Sequence, residues 1–409
     1  MPDQPVRPGS LIKVFSLLLA AALVASAIYL IMKKTPVYKP APEVDELKSK
    51  GTESENVPIG SVFKPYEYNP AERLPAVDGA GNYRWDHEKI VRFSYNLWPG
   101  WLPVIAANRG ARATRDSVFY GKYGFQVEMV LMDDPIAALD AFADGEIHTL
   151  WGTVDMMVLL APRLLKDSRS APRIVQQINW SSGGHGIVVR RPIKSIVDLK
   201  NKTIVAPRDS PGEYYLMTLL LSAGMRPSDV KLEYTTTAFE AAAAFLMDRK
   251  IDACVSWAPD MYRIPRKVSG ARILSSTKDT DRLIADVYAV RADFVRDHPD
   301  IAKGLVAGIF EGMELLKQNP ELPAKWMADA FGMKPDEILA LRSDVHPTDL
   351  AENVQFFLNS SHPANLEQAW KNASNIYRRM GRIRATISFD QVVDFRFLQQ
   401  LQQEVTLDH

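Results

Sequence analysis

Cysteine is nearly absent from this chain of 409 residues, which contains only Cys254. A single cysteine excludes an internal disulfide and any metal site built from several cysteines. It lies in the apolar run "IDACVSW", where a small buried core residue is expected. The chain also has no excess of positive or negative charge, since it contains 49 Lys and Arg residues and 49 Asp and Glu residues. The sequence therefore lacks the positive field of a nucleic-acid binder, and we expect no nucleic-acid partner.

Signatures of catalysis are missing as well. The chain contains no HExxH, GxSxG, Walker A or GxGxxG pattern. We therefore predict a binding protein rather than an enzyme, with no catalytic residues, no metal and no cofactor. Hydrophobic residues make up 46% of the chain, enough at this length for more than one folding unit.

The N-terminal region carries a long apolar segment. Residues 14–32 contain no charged side chain, and a helix of this length would span about 28 Å, close to the hydrocarbon thickness of a bilayer. We predict a transmembrane signal anchor at 14–32, preceded by a cytoplasmic N-terminus at 1–13. The alternative is a cleaved signal peptide, because "ASA" at 25–27 resembles a signal-peptidase site. Basic residues flank both ends, so they do not decide the orientation.

The rest of the chain has two compositional parts. Residues 33–88 are rich in proline, glycine and polar residues without helical or strand periodicity, which predicts a flexible tether. From Val91 to Trp257, strand candidates alternate with helix candidates, and from His298 to about Met380 the pattern is almost wholly helical. This alternation predicts an α/β fold with a mainly parallel sheet.

Tryptophan is concentrated at the predicted strand ends. In open parallel sheets, ligands bind where strands end and helices begin. Four of the eight tryptophans fall at such junctions: Trp98, Trp101, Trp180 and Trp257. An indole there suits a flat or cationic small molecule, through stacking or cation–π contacts of about 0.5 to 2 kcal/mol.

Polar residues at the same junctions leave the charge of the ligand open. Together with the four tryptophans, Asp155, Glu213 and Asp260 favour a neutral or cationic heteroaromatic or amine, whereas the helix start at Ser210 and Gly212 favours an anion. An amphoteric ligand would satisfy both. The predicted ligand-binding set is Trp98, Trp101, Thr153, Asp155, Trp180, Ser181, Ser210, Gly212, Glu213, Trp257 and Asp260.

The glycine-rich stretch "INWSSGGHGIVVR" at residues 178–190 contains one of the chain's seven histidines. It is interpreted as a strand end, a turn facing a cleft and the start of a crossover. Glycines at 183, 184 and 186 would supply unusual backbone angles and close approach. His185 is predicted to be a loop or hinge residue without a direct role.

Several segments, in matching order, resemble a known family. "FSYNLWPGWLPVIAANRG", "ALDAFADGEIHTLWGTVD", "INWSSGGHGIVVR" and "AAAAFLMDRKIDACVSWAPD" resemble the nitrate, sulfonate and taurine type substrate-binding proteins of ABC transporters, a group with relatives that bind thiamine pyrimidine precursors. The resemblance implies a two-lobed type II periplasmic binding protein with two hinge crossovers, near 188–191 and 286–291. Lobe one would comprise 89–187 and 288–409, and lobe two 188–287.

This resemblance implies a function. The chain would be a membrane-tethered periplasmic solute-binding protein that captures a nitrate-, sulfonate-, amine- or pyrimidine-like molecule between its lobes for ABC-type import. Its partners would be that ligand and a permease or other complex of the inner membrane, with the soluble domain in the periplasm. The alternatives are a ligand sensor or scaffold subunit, and an enzyme on the same fold. Many relatives carry glutamate where this chain has Ala258, so ligand identity is not carried over.

Overall fold

The structure is a computed structural model that describes residues 79–280 and 282–407. The predicted N-terminus and signal anchor, and most of the predicted tether, lie outside the described residues. Within the two described ranges, every helix is too short or too polar to cross a bilayer.

Eleven strands form two separate sheets in the described part of the chain. The first sheet has the order β11-β4-β10-β3-β1-β2, and the second has the order β7-β6-β8-β5-β9. The strands are β1 Ile90–Tyr95, β2 Gln126–Leu131, β3 Thr149–Thr153, β4 Pro172–Ser181, β5 His185–Val189, β6 Thr203–Pro207, β7 Lys231–Thr235, β8 Ala253–Trp257, β9 Arg272–Ser276, β10 Ala285–Arg291 and β11 Val345–Pro347.

Both sheets are mixed, which corrects the prediction of mainly parallel sheet. β1 runs parallel to β2 and β3, and β6 runs parallel to β7 and β8. The remaining pairings, those of β5 with β8 and β9, of β10 with β3 and β4, and of β11 with β4, are antiparallel. β5 is the first strand after the chain leaves the first sheet for the second, and β10 is the first strand after it returns. Neither strand follows a helix from a neighbouring strand of its own sheet, so neither forms a parallel strand–helix–strand unit with its neighbours.

The chain crosses between the sheets earlier than the sequence predicted. Residues 182–184 connect β4 to β5, and residues 277–284 connect β9 to β10. The crossovers had been expected near 188–191 and 286–291. The apolar runs at those positions are the buried strands β5 and β10 themselves, so the polar and glycine-containing residues before them make the connections.

Helices flank both sheets and dominate the C-terminal part, as the sequence predicted. The longest, α9, packs along α1, while α13 contacts both α4 beside the first sheet and α5 beside the second. The helices are α1 Leu102–Asn108, α2 Val118–Tyr123, α3 Pro135–Ala143, α4 Val154–Leu164, α5 Pro211–Ser222, α6 Ala238–Met247, α7 Asp260–Lys267, α8 Ala292–Asp297, α9 Pro299–Gln318, α10 Glu321–Phe331, α11 Pro335–Leu341, α12 Leu350–Leu358, α13 Leu366–Arg379 and α14 Arg396–Leu407.

Residues at the end of the segment that the sequence assigned to the tether are packed against the domain. The Gly81 N–H donates to the Ala143 carbonyl at 2.9 Å, and the Trp85 ring lies 5.0 Å from the Phe294 ring. Aromatic packing of this kind stabilises a contact beyond simple burial. The end of the predicted tether at 33–88 is therefore part of the folded domain.

The contact between α9 and α1 generates a test of this packing. A Cβ atom at Gly312 would lie 2.0 Å from the Pro103 carbonyl oxygen and 2.9 Å from the Ala107 Cβ. We expect Gly312→Ala to lower the free energy of unfolding by about 1–3 kcal/mol, because the helices must move apart. Urea unfolding followed by circular dichroism measures this change.

The matched control is Gly121→Ala in α2, where a Cβ atom would meet nothing within 4 Å. Its higher helix propensity should raise the stability by about 0.5–1 kcal/mol. Equal effects of the two substitutions would contradict the packing described here.

Candidate ligand-binding site

Strand register brings the predicted site residues to one edge of each sheet. In the first sheet, Asp286 of β10 pairs with Thr153 at the end of β3 and with Asn179 near the end of β4. In the second sheet, His185 at the start of β5 pairs with Trp257 at the end of β8. α4 begins directly after β3, and α5 and α7 begin shortly after β6 and β8. The candidate site is therefore the cleft between these two edges.

Trp98 spans this cleft. Its ring lies 4.9 Å from the His185 ring, and the His185 ring lies 5.6 Å from the Trp257 ring. A Cβ atom at Gly184 would lie 2.2 Å from Cη2 of Trp98, so only glycine permits this approach. The three rings form an aromatic column, Trp98–His185–Trp257, that joins the two sheets.

The other two predicted tryptophans have different surroundings. Trp101 is fully buried, donates its indole N–H to Asn96 Oδ1 at 2.7 Å and packs against Phe93. It is a core residue rather than a cleft residue. Trp180 packs edge-on against Phe356 and borders a small separate cavity near the chain crossing. In the sequence, a tryptophan that packs in the core cannot be told from one that faces a ligand, because both lie in or beside apolar segments.

Three buried carboxyl groups approach one another in the cleft. Asp155 lies in the first turn of α4, Glu213 in the first turn of α5, and Asp286 on β10, and each is at most 6% exposed. Asp155 accepts from the Tyr377 hydroxyl at 3.2 Å. Glu213 accepts from the Tyr234 hydroxyl at 2.7 Å. Asp155 raises the pKa of both other acids, so negative charge from both sheets converges here.

Burial dominates the titration of these acids. It raises the pKa of Asp155 to about 6, against the hydrogen bonds from Thr153 and Tyr377, and it raises the pKa of Glu213 to about 7. Burial and then the Asp155 charge hold the pKa of Asp286 well above its usual range, while the Trp98 indole lowers it. A cation in the cleft would favour the charged forms of all these groups.

Sequence reasoning missed Asp286, because it lies in the apolar run "LIADVYAVR" that had been assigned to the return crossover. The sequence does contain a signal that could have identified Asp286, namely a single carboxylate within a strand of mostly apolar residues. Such a group is expensive to bury without a partner and therefore indicates a function.

The N-terminal end of α5 is occupied by its own side chains. The Ser210 hydroxyl accepts from the Glu213 N–H at 3.2 Å and donates to the Pro207 carbonyl, as the sequence predicted for a helix cap. Glu213 Oε2 also accepts the Asp209 N–H at 2.8 Å. A Cβ atom at Gly212 would meet Val255 Cγ1 at 2.9 Å, so this glycine serves close packing. An incoming anion would have to compete with the Glu213 carboxylate.

Asp260 and Trp257 keep unused hydrogen-bonding atoms at the edge of the second sheet. Asp260 is 3% exposed, and its Oδ1 lies 3.6 Å from Arg263. Burial raises its pKa to about 6, while Arg263 lowers it. Asp260 Oδ2 and Trp257 Nε1 have no hydrogen-bond partner among the described residues. Unpartnered buried groups of this kind mark a place for a ligand.

The C-terminal helices also reach the cleft. Arg382, which follows α13, pairs with Asp209 and lies 4.0 Å from Glu213 Oε1. The Tyr377 ring of α13 lies 5.9 Å from the Tyr214 ring of α5. Burial, then the charges of Arg208 and Arg163, lower the pKa of Arg382 to about 10. The sequence had assigned no site residue to this region.

A cavity of about 520 Å³ beside α1, α9 and β11 lies outside this cleft and contains none of the predicted residues. Apolar side chains such as Leu102 and Met313 line it together with solvent-facing charged groups. Within the described ranges, no group of three or more His, Cys, Asp or Glu side chains is placed to hold a metal ion. The cleft is therefore the site with convergent buried polar chemistry.

The raised pKa of Asp155 predicts a pH dependence of stability in the absence of ligand. The folded chain holds this proton up to about pH 6, whereas an unperturbed aspartate releases it near 3.8. The stabilisation is therefore complete at low pH and is lost as the pH rises through about 6. Asp155→Asn should lose less stability than the wild type between pH 4 and pH 8, by about 2–3 kcal/mol, in urea titrations.

The control for this titration is Asp329→Asn, at an exposed carboxyl group on α10, which should keep the wild-type pH dependence. An equally steep loss of stability in Asp155→Asn would show that Asp155 titrates normally.

Comparisons with known proteins agree with this architecture. The NMT1/THI5-like family model matches residues 119–322. A protein of Brucella abortus named only as a binding protein is 29% identical over 238 residues, which are 56% of this chain and 68% of that protein. The taurine-binding periplasmic protein of Escherichia coli is 24% identical over 214 residues, which are 51% of this chain and 63% of that protein.

A solved structure has the same fold. The periplasmic aliphatic sulphonate-binding protein of Escherichia coli superposes with a TM-score of 0.55 at 18% identity, over 73% of this chain and 95% of that one. These relatives are binding proteins rather than enzymes. The chain is similar to the NMT1/THI5-like family over residues 119–322, and its resemblance to substrate-binding proteins of the sulfonate and taurine type is confirmed.

Proposed function

We propose that the chain is a membrane-tethered solute-binding protein that captures a small molecule between its two sheets and delivers it to an ABC permease. The related proteins named for binding support the capture step. The predicted apolar segment at 14–32 would hold the domain at the outer face of the inner membrane, and the tether would let it reach the permease.

One observation carries the proposal: buried carboxyl groups from both sheets meet in the cleft. Asp155 and Asp286 come from the first sheet and Glu213 from the second; burial raises the pKa of all three, and the Asp155 charge raises the pKa of the other two further. Two like charges brought together by closure disfavour the closed arrangement unless something neutralises them. A ligand with a protonated nitrogen would supply that neutralisation and would favour closure.

The ligand class follows from this electrostatic balance. Taurine carries a protonated amine as well as a sulfonate, whereas nitrate carries negative charge alone. The start of α5 already holds the Glu213 carboxylate, which weakens it as an anion site. We therefore propose an amine-bearing ligand, amphoteric or cationic, in place of a simple anion.

A panel of five probes tests this proposal on the full-length chain: ethylamine, taurine, 4-aminopyrimidine, ethanesulfonate and nitrate. The three nitrogen-donor probes should raise the melting temperature and bind in calorimetry, and their affinity should increase as the pH rises through 6. Asp155→Asn and Asp286→Asn should each weaken this binding about tenfold or more, as expected for loss of a charged hydrogen bond.

Asp329→Asn should bind all probes as the wild type does. Binding of ethanesulfonate or nitrate without binding of the amines would contradict the ligand class and leave capture intact. If none of the five probes changes the melting temperature, the capture proposal fails.

A further inference from the structure

Three side chains at the chain crossing form a hydrogen-bonded relay, defined here as Thr277, Ser181 and His185. Thr277 Oγ1 accepts the Gly183 N–H at 2.9 Å and the His185 N–H at 3.3 Å. A hydroxyl oxygen has two lone pairs, and both are used by these donors. The Thr277 hydroxyl must therefore donate, and Ser181 Oγ lies 2.8 Å away.

The direction of the relay continues through Ser181. Its oxygen accepts from Thr277, and among the described residues its only other side-chain partner is His185 Nδ1 at 2.8 Å. The buried Ser181 hydrogen is therefore satisfied only by donating to Nδ1. Nδ1 is then an acceptor and carries no proton. In a neutral imidazole the proton must be on the other nitrogen, so Nε2 carries the N–H.

His185 remains neutral at physiological pH. Its side chain is 3% exposed, and burial lowers its pKa to about 3. The relay supports the same state, because a protonated ring would place a second hydrogen between Nδ1 and the Ser181 hydroxyl. The hydrogen-bond pattern and the burial thus agree on one tautomer.

The Nε2–H has no acceptor among the residues that the structure describes. Among residues 79–280 and 282–407, the ring of His185 makes a side-chain hydrogen bond only through Nδ1. The ring is held between Trp98 and Trp257, and Trp257 Nε1 is a second buried donor without a described partner. An acceptor atom on a ligand would complete the hydrogen bonding of this ring.

We propose that His185 is a ligand-binding residue that presents a fixed Nε2–H donor to the cleft, with Ser181 and Thr277 as positioning residues that set its tautomer. This inference rests on the proposed function and narrows its ligand class. The ligand combines a protonated or donor nitrogen for the carboxyl groups with an acceptor oxygen or ring nitrogen for His185. It also reassigns Ser181, which the sequence placed in contact with the ligand, and His185, which the sequence left without a role.

The tautomer can be measured without any ligand. In long-range proton–nitrogen NMR spectra of the full-length chain with labelled histidines, His185 should carry its proton on Nε2, and the loss of its signals in His185→Phe assigns them. Ser181→Ala removes the donor to Nδ1 and should shift population toward the other tautomer. A wild-type His185 with its proton on Nδ1 would overturn the proposal.

Binding provides the second test. Taurine and 4-aminopyrimidine each combine a nitrogen donor with an acceptor, whereas ethylamine has no acceptor. His185→Phe keeps the ring packing and should weaken the first two at least tenfold, but ethylamine less than twofold. His185→Gln, whose amide can donate, should recover part of the affinity.

The melting temperature of each variant without ligand shows that it folds. Equal weakening of all three probes in His185→Phe would indicate a structural role and would overturn the inference, as would unchanged affinity. If no probe binds the wild-type chain, the proposed function fails together with the ligand contact. The tautomer measurement still decides whether the relay exists.

Discussion

The contact of Trp98 with Gly184 and His185 is the constraint on which the cleft depends. A tryptophan from the first sheet lies against the backbone of the crossing strand, and a glycine is needed at the point of contact. This contact fixes the distance between the two sheet edges. The relay lies at the same crossing, because it includes His185 and Ser181 on either side of Gly184.

The acids of the cleft differ in their partners. Burial raises the pKa of Asp155, Glu213 and Asp286, and Asp155 raises the pKa of the other two further. Asp209 instead has the Arg382 guanidinium beside it. A buried carboxyl group without a cation is unfavourable for folding alone, and sites that bind ligands commonly retain such groups.

Local chemistry made much of this site predictable. Trp98, Asp155, Glu213, Trp257 and Asp260 follow directly on strands, so short segments identify them. Asp286, Tyr377 and Arg382 could not be found in this way, since they enter the cleft through a return strand and a helix far along the chain. The role of His185 depends on Thr277, 92 residues away, and on which lone pairs its neighbours occupy. The local pattern also does not predict whether a strand runs parallel or antiparallel to its neighbours, because an apolar run looks the same whichever sheet it joins.

The C-terminal contacts have a kinetic consequence. Tyr377 and Arg382 connect the last helices to groups at both edges of the cleft, through Asp155 and Asp209. Any motion that separates the two edges must therefore break contacts made by the chain's own C-terminal region as well as those of a bound molecule. The residence time of a molecule held there would then depend on helix α13 and on Arg382, which follows it.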